Sequence, residues 1–554
     1  MPGCSFQVTA DGDPGSAAGP AAAGSAAAAG TAPAEAAQAV LRPAFTLARG
    51  RKRSVRRMWL DTFDWRLHRA GLALEQVTGS GGTEIALTGD GGERIAVQQA
   101  NGSWPGQLDH IPPGPVRDRL APVVGVRALS PVARARSVLQ ELRVLNDDRK
   151  TVVRLTVDRM SVGEGAVPAR LVIAPVRGYQ DDADDVARAL AASPGFAPAT
   201  LPPSESALAA AGRHPGDYSN RVDVRLTASM PASQAIALVL LRLLDTIEAN
   251  VDGVVRDLDT EFLHDLRVSV RRTRSALKLA GDVLPPGLAD RFAPEFKWLG
   301  DLTTPVRDLD VYLLGFPAMA AGLRAARPAD LAPFGDFLAR RRKAERRRLV
   351  RGLHSARFTT LLASWRAELT KAARRRPSRR GTAAASQGAA SQGAAFPGAG
   401  RAGLTAGELA AQRVRKAYRK VIRRGSAITA DSPPERLHTL RKRCKELRYL
   451  LEFFASLYDP SGYRQVIKQL KLLQDCLGEF QDTQVQREAV RESAQQMADE
   501  GSAPVPALLA MGELAAQITE RQWQARGQFG ERFAAFTSPR NTQRIRSLIT
   551  AAAT

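Results

Sequence analysis

The sequence repeats itself at an offset of 174 residues, and no other feature limits its fold as sharply. The segment HDLRVSVRRTRSAL begins at His264, and HTLRKRCKELRYLL begins at His438. In the shared pattern H-x2-R-x3-[R/K]-x2-R, His264 falls on His438, Arg267 on Arg441, Arg271 on Lys445 and Arg274 on Arg448. The register runs on without a gap, placing Lys297 on Lys471 and Asp308 on Asp482. One supersecondary unit is built twice, so the C-terminal half is a pseudo-symmetric pair.

What repeats is positive charge on a helix. Residues 264, 267, 271, 274 and 278 step by three and four, which keeps His264, Arg267, Arg271, Arg274 and Lys278 on one stripe. The second stripe reads His438, Arg441, Lys445, Arg448 and then Glu452, one charge fewer. Beside each stripe runs an apolar seam: Leu263, Leu266, Val270, Thr273, Leu277 and Ala280 in the first copy, and Leu437, Leu440, Cys444, Leu447, Leu451 and Phe454 in the second. These seams predict helices packed into a bundle. Like charges stacked every turn cost about 0.2–0.5 kcal/mol per i,i+4 pair, so a stripe kept twice implies a polyanion that neutralises it. A solvated, salt-bridged face is the alternative. Such a face interleaves acids, whereas Asp265 and Glu446 sit off the stripe.

Charge balance points to the same partner class. The 554 residues carry 79 Lys+Arg against 56 Asp+Glu, a formal charge of +23, which calls for nucleic acid, anionic lipid or a phosphate polymer. The excess is clustered. Arg340 to Arg351 holds eight basic residues, among them Arg342 and Arg346, against the single Glu345. Arg413 to Arg424, with Lys416, Arg419, Lys420 and Arg423, holds seven and no acid. Apolar residues at helical spacing flank both runs (Leu338 and Leu349; Val414, Tyr418, Val421 and Ile422), so both read as helices. Arginine offers a planar fork of donors that suits phosphate oxygens.

Length predicts two or more domains. The three cysteines, Cys4, Cys444 and Cys476, show no paired spacing, which argues for a reducing compartment and against a disulfide framework or a cysteine-type zinc site. No stretch of about 20 apolar residues exists, so no membrane span is expected, and no secretory signal is read at the N-terminus. The expected location is cytoplasmic. The chain divides into an Ala/Gly-rich, disordered 1–42, a mainly β domain over 43–205, a linker over 206–228, a first helical bundle over 229–374, a flexible low-complexity insertion over 375–404 and a second bundle over 405–554.

The C-terminal half resembles a CHAD domain, the conserved-histidine α-helical domain. The resemblance rests on His264 to Arg274, on Arg307-Asp308-Leu309-Asp310-Val311, on His438 to Arg448 and on Gln481-Asp482. It implies two bundles related by a pseudo-twofold axis, with basic helices facing a central groove, and binding of inorganic polyphosphate or another phosphate polyanion. Gln481 stands where the first copy has Arg307, a departure that weakens the second lobe's grip. The β domain resembles a CYTH domain, the triphosphate-tunnel fold, through Asp61-Thr62, Leu67, Gly71 and Leu74 and through segments 149–160 and 169–178. That implies an antiparallel, tunnel-type barrel, and makes the whole chain a multidomain α+β protein. The family needs an E-x-E-x-K strand near the start to hold a divalent metal. PAFTLARGRKR contains no carboxylate, Glu75-Gln76-Val77 replaces a basic R-x-R, and Val172 and Ala174 stand where alternating glutamates are expected. The β domain is therefore expected to be a degenerate, non-catalytic relative.

Other chemistries lack their residues. There is no GxxxxGK[S/T] loop, HExxH or CxxC. A zinc site wants three or four ligands, and each motif histidine is surrounded by arginines. Asp308, Asp310 and Asp482 are expected to orient arginine side chains. The expected polyphosphate-binding set is His264, Arg267, Arg271, Arg274, Lys278, Lys297, Arg307, Arg342, Arg346, Lys416, Arg419, Lys420, Arg423, His438, Arg441, Lys445, Arg448 and Lys471, with no catalytic residue, metal or cofactor. The competing reading is a CYTH-type, metal-dependent triphosphatase or polyphosphatase with the helical half as its substrate-binding module. Nucleic-acid binding is expected to be weak and non-specific, because 6% aromatic content leaves few stacking platforms.

Overall fold

The computed structural model describes residues 5–8, 32–100, 102–374 and 403–553. They fall into two compact units, Met1–Ser219 and Asn220–Thr554.

The first unit is built on one antiparallel sheet of ten strands: β1 (Ser5–Val8), β2 (Thr46–Thr62), β3 (Leu72–Gly79), β4 (Gly82–Gly89), β5 (Arg94–Gln99), β6 (Leu129–Leu145), β7 (Thr151–Val162), β8 (Gly165–Ala166), β9 (Arg170–Pro175) and β10 (Phe196–Pro198). Their order is β10-β1-β9-β7-β6-β2-β3-β4-β5, with β8 on β7. Alternation drives strand formation. In β7, Val153, Leu155 and Val157 are buried while Arg154 and Arg159 are exposed. The helices of this unit are α1 (Pro33–Leu41), α2 (Arg66–Arg69), α3 (Pro115–Val124), α4 (Gln180–Ala191) and α5 (Pro203–Ala210). The sheet is consistent with a CYTH-like tunnel.

Two stretches depart from the expectation for 1–42. Strand β1 pairs with β9 and β10, and α1 buries Ala37 and Leu41 against the core that holds Phe6. Alanine is the strongest helix former and Pro33 is pre-set for a first turn, so an alanine-rich segment with one leucine folds once a core receives it. The rest of that range, 1–4 and 9–31, lies outside the described residues. The expected linker 206–228 opens inside α5, whose Ala207 is fully buried. The flexible insertion expected over 375–404 lies outside the described residues up to 402.

The second unit has ten helices among its described residues, five in each copy: α6 (Ala232–Arg256), α7 (Thr260–Ala280), α8 (Leu288–Ala321), α9 (Ala332–Leu353) and α10 (Ala356–Arg374), then α11 (Ala406–Gly425), α12 (Pro434–Phe453), α13 (Pro460–Asp499), α14 (Val505–Thr537) and α15 (Pro539–Ala553). Helices α6 and α7 start 174 residues before α11 and α12, so the sequence offset is also the structural one. The apolar seams of α7 and α12 are buried throughout.

Reciprocal contacts define a pseudo-twofold axis. The amide of Ala232 donates to the carbonyl of Leu404 at 2.9 Å, and the amide of Ala406 donates to Met230 at 2.7 Å. In each bond the partner is the other copy's counterpart of the residue two positions earlier, as an isologous contact requires. Tyr312 donates its hydroxyl to the carbonyl of Gln486, its own counterpart, at 2.8 Å. A core of Tyr312, Phe334, Phe337 and Leu338 with Val490, Met497, Met511 and Leu514 joins α8 and α9 to α13 and α14.

Candidate functional site

Around that axis the second unit encloses a groove of about 710 Å³. Both copies line it at matched positions: His264 and His438, Arg267 and Arg441, Arg271 and Lys445, Arg307 and Gln481, Asp308 and Asp482, Val311 and Val485. The stripes on α7 and α12 reach it because each apolar seam turns inward and leaves the neighbouring stripe on the groove wall. Asp259 starts α7 by accepting from the amides of Glu261 and Phe262, and Pro434 in the first turn starts α12.

The two arginines one turn after the histidines are held alike. Arg267 donates to Oγ1 of Thr304 at 2.6 Å and lies 3.6 Å from Asp308. Arg441 lies 3.0 Å from Asp482. The carboxylates thus orient arginines, and each is far more exposed than the arginine it meets. Asp308 is accessible from the groove but stands between its walls, and the loss of bulk solvent there, offset in part by Arg267 and Arg307 and reinforced by Asp482, raises its pKa. Burial, and then the neighbouring charges of Arg271 and Arg307, lowers that of Arg267.

One turn further on, neither Arg271 nor Lys445 forms an ion pair among the described residues, and Nε of Arg271 is buried without a hydrogen-bond partner. The charge of Asp482 partly offsets that of Lys445. Burial first, then Arg441, Arg271 and Arg267, push the Lys445 ammonium down to about 8. Four cations from two copies converge here and, among the described residues, only Arg267 and Arg441 have carboxylate partners, so Arg271 and Lys445 leave the groove a demand for negative charge.

The residues at 307 and 481 act differently in the two copies. Nδ1 of His438 donates to Oε1 of Gln481 at 2.5 Å. At the matched place in the first copy, Arg307 turns to the carbonyl of Thr260 at 3.2 Å and lies 3.8 Å from Glu261. Gln481 therefore fixes the ring of His438 where Arg307 adds a charge.

The remaining expected site residues lie elsewhere. Arg342 donates to Asp310 at 2.5 Å and to both oxygens of Asp257 at 2.9 and 2.6 Å. Arg346 meets Asp257 at 3.1 Å and the carbonyl of Val255 at 2.6 Å. Both arginines tie α9 to the end of α6 and do not line the groove. Lys278 pairs with Glu446 at 2.8 Å, Arg448 with Glu452 at 2.6 Å, and the exposed Lys297 with Asp301 at 3.2 Å. Arg274, Lys471, Lys416, Arg419, Lys420 and Arg423 also lie outside the groove lining. Conversely, Arg341 lines it, with its guanidinium 5.6 Å from the Phe337 ring centre. The helical spacing from Phe334 and Leu338 to Arg341 was the available signal.

Glu446 sits off the stripe of its own helix yet reaches across to the first copy. Arg272 pairs with Glu452 at 2.8 Å and Lys278 with Glu446 at 2.8 Å. Glu446 is the counterpart of Arg272, and Glu452 that of Lys278. The axis therefore generates the same contact twice, with cations from the first copy and carboxylates from the second.

A duplicated helical bundle with one cationic groove shared across its pseudo-twofold axis is the class of domain that this geometry defines. Residues 238–491 match the CHAD domain family, and this part of the chain is a CHAD domain. Among solved structures, the CHAD domain from the plant Ricinus communis is 25% identical, with a TM-score of 0.41 over 60% of this chain and 96% of that one. PptA from Streptomyces chartreusis is 15% identical, with a TM-score of 0.40 over 55% of this chain and 99% of that one. PH1819 protein from Pyrococcus horikoshii OT3 is 12% identical, with a TM-score of 0.20 over 32% of this chain and 93% of that one. No protein of curated function matches the chain.

In the first unit, the metal that a CYTH-type tunnel implies meets an unsuitable donor set. Strand β1, the first of the sheet, reads Ser5, Phe6, Gln7, Val8 and offers no carboxylate. Glu75 and Asp158 point together, but both hold the guanidinium of Arg57, which lies 2.6 Å from Asp158. Among the described residues no three His, Cys, Asp or Glu side chains cluster. A cavity of about 720 Å³ on the same sheet is lined by Arg56, Arg134 and Arg136, with Arg56 directly opposite Arg136.

Proposed function

We propose that this protein binds inorganic polyphosphate, a linear phosphate polyanion, in the groove of its CHAD domain and breaks no bond in it. The observation that carries this reading is the pairing of Arg271 with Lys445 across the axis. Both are cationic, partly buried and without a carboxylate partner, while Arg267 and Arg441 flank them. Leaving such a cluster uncompensated costs stability, which an anion in the groove would restore. Planar guanidinium forks suit phosphate oxygens, and a repeated stripe suits a repeating ligand. The groove lining contains no aromatic face open for base stacking, since Tyr312 and Phe334 are buried, and this favours a phosphate polymer over single-stranded nucleic acid.

Competition between long-chain polyphosphate and duplex DNA on the full chain tests the reading. Polyphosphate should bind and resist displacement by DNA at equal phosphate concentration. Displacement by DNA, or the absence of polyphosphate binding at low salt, would overturn it.

A further inference from the structure

The basic residues that the groove leaves out are not scattered. Lys278 ends the first copy's stripe, two turns beyond Arg271, and its ammonium meets Glu446 at 2.8 Å. Arg443 meets the same carboxylate at 2.7 Å. Lys416 and Lys420 stand one turn apart on α11, the helix packed against α12, which carries Arg443 and Glu446, and Lys420 also feels the charges of Arg443, Lys416, Glu446 and Lys278. Lys278 and Arg443 thus hold one carboxylate, with Lys416 and Lys420 on the adjacent helix. Arg271, Arg274 and Lys278 join this group to the groove along one face of α7, at about 1.5 Å of rise per residue.

The pseudo-twofold axis supplies a control within the molecule. The counterparts of Lys278, Glu446, Arg443, Lys420 and Lys416 are Glu452, Arg272, Ser269, Thr246 and Arg242. Of these five, two are cations and one is a carboxylate, and Arg242 donates to Thr246 at 2.8 Å; Arg448, the counterpart of Arg274, and Arg221 add charge near Glu452. The second copy's stripe ends on Glu452, which Arg272 and Arg448 already hold. The groove is therefore nearly symmetric in charge, but its two exits are not.

We propose that a long polyphosphate chain leaves the groove on one side only, along α7 past Arg274 and Lys278, and is held a second time by Lys416 and Lys420. This rests on the groove being the polyphosphate site, and it adds a direction and a dependence on chain length. A chain that fills only the groove gains nothing from α11. A chain long enough to reach it binds at two linked places, so the second contact forms at high effective concentration. Glu446 keeps the exit group from repelling itself when the groove is empty.

The test uses the full chain with Lys416→Gln/Lys420→Gln and, as the mirror control, Arg242→Gln. The probes are tripolyphosphate, too short to leave the groove, and long-chain polyphosphate. Long-chain affinity should fall about tenfold or more in the lysine variant, and its salt slope should fall by about two. Tripolyphosphate affinity should hold in the lysine variant, and neither probe should respond to Arg242→Gln. Equal losses for both probes, or equal losses at both exits, would overturn the one-sided track. So would an unchanged long-chain affinity in a protein whose binding Arg271→Ala still weakens, a result that would leave the groove reading intact. Failure of the parent protein to bind either probe would overturn the groove reading and the track together.

Discussion

Lys445 makes the groove sensitive to pH, and the size of the effect follows from its surroundings. Its ammonium falls from an ordinary 10.5 to about 8, because burial and then Arg441, Arg271 and Arg267 disfavour the charged form. Holding the charge in the empty groove thus costs about 3 kcal/mol below pH 8. The unfolded chain keeps the proton up to the ordinary value, so this destabilisation is present in full below about pH 8 and is relieved as pH rises toward 10.5. Ligand binding has the opposite sense. A polyanion beside Lys445 restores its proton, so binding above pH 8 must take up a proton. If the complex recovers the ordinary value, affinity at about pH 9 is roughly tenfold below that at about pH 7. Calorimetric titration with polyphosphate in buffers of different ionisation enthalpy reads both the affinity and the proton. Lys445→Arg should abolish the decline and the proton uptake. An equal decline in Lys445→Arg, or a flat profile in the parent protein, would refute the argument.

Three further outcomes follow from named contacts. Arg272→Glu with Lys278→Glu should lower a denaturant midpoint by the equivalent of about 3 kcal/mol or more, since each change sets two carboxylates face to face, whereas the neutral pair Arg272→Gln with Lys278→Gln should cost clearly less. Arg342→Ala should cost about 3–5 kcal/mol, because Asp310 is left buried without its partner, yet polyphosphate affinity of the folded fraction should change little. Tripolyphosphate with Mg²⁺ or Mn²⁺ should yield no phosphate above background, and a chelator should change nothing; metal-dependent release would show carboxylates acting in an arrangement absent from the described residues.

The legible part of this fold was periodicity. The three-and-four spacing from His264 to Lys278, read with its echo from His438, located α7, α12 and the groove they share, because a helix face is a local property of sequence. The partners of those charges were not legible. Lys278 and Arg274 sit on the same stripe as Arg271, yet only Arg271 opens into the groove, since α12 brings Glu446 to Lys278 from 168 residues away. Arg341 and Arg342 are neighbours in one basic run; the helix turns one toward the groove and the other toward Asp257 and Asp310. In the first unit, PAFTLARGRKR was legible only for its missing carboxylate; the pairing of Arg56 against Arg136 required the β2–β6 register. Strand β1 and α1 were hidden by composition, because a few buried residues, Phe6, Ala37 and Leu41, decide the fate of an otherwise featureless segment.

The central claim is that both copies grip one polyanion at the axis. The most direct measurement is the salt dependence of long-chain polyphosphate binding by the full chain and by Arg271→Ala, Lys445→Ala and the double variant. Because each neutralised phosphate releases counterions, each single change should lower the slope of log affinity against log salt by about one, and the double change by about two. An unchanged slope in the double variant, or a loss confined to one copy, would contradict the shared groove.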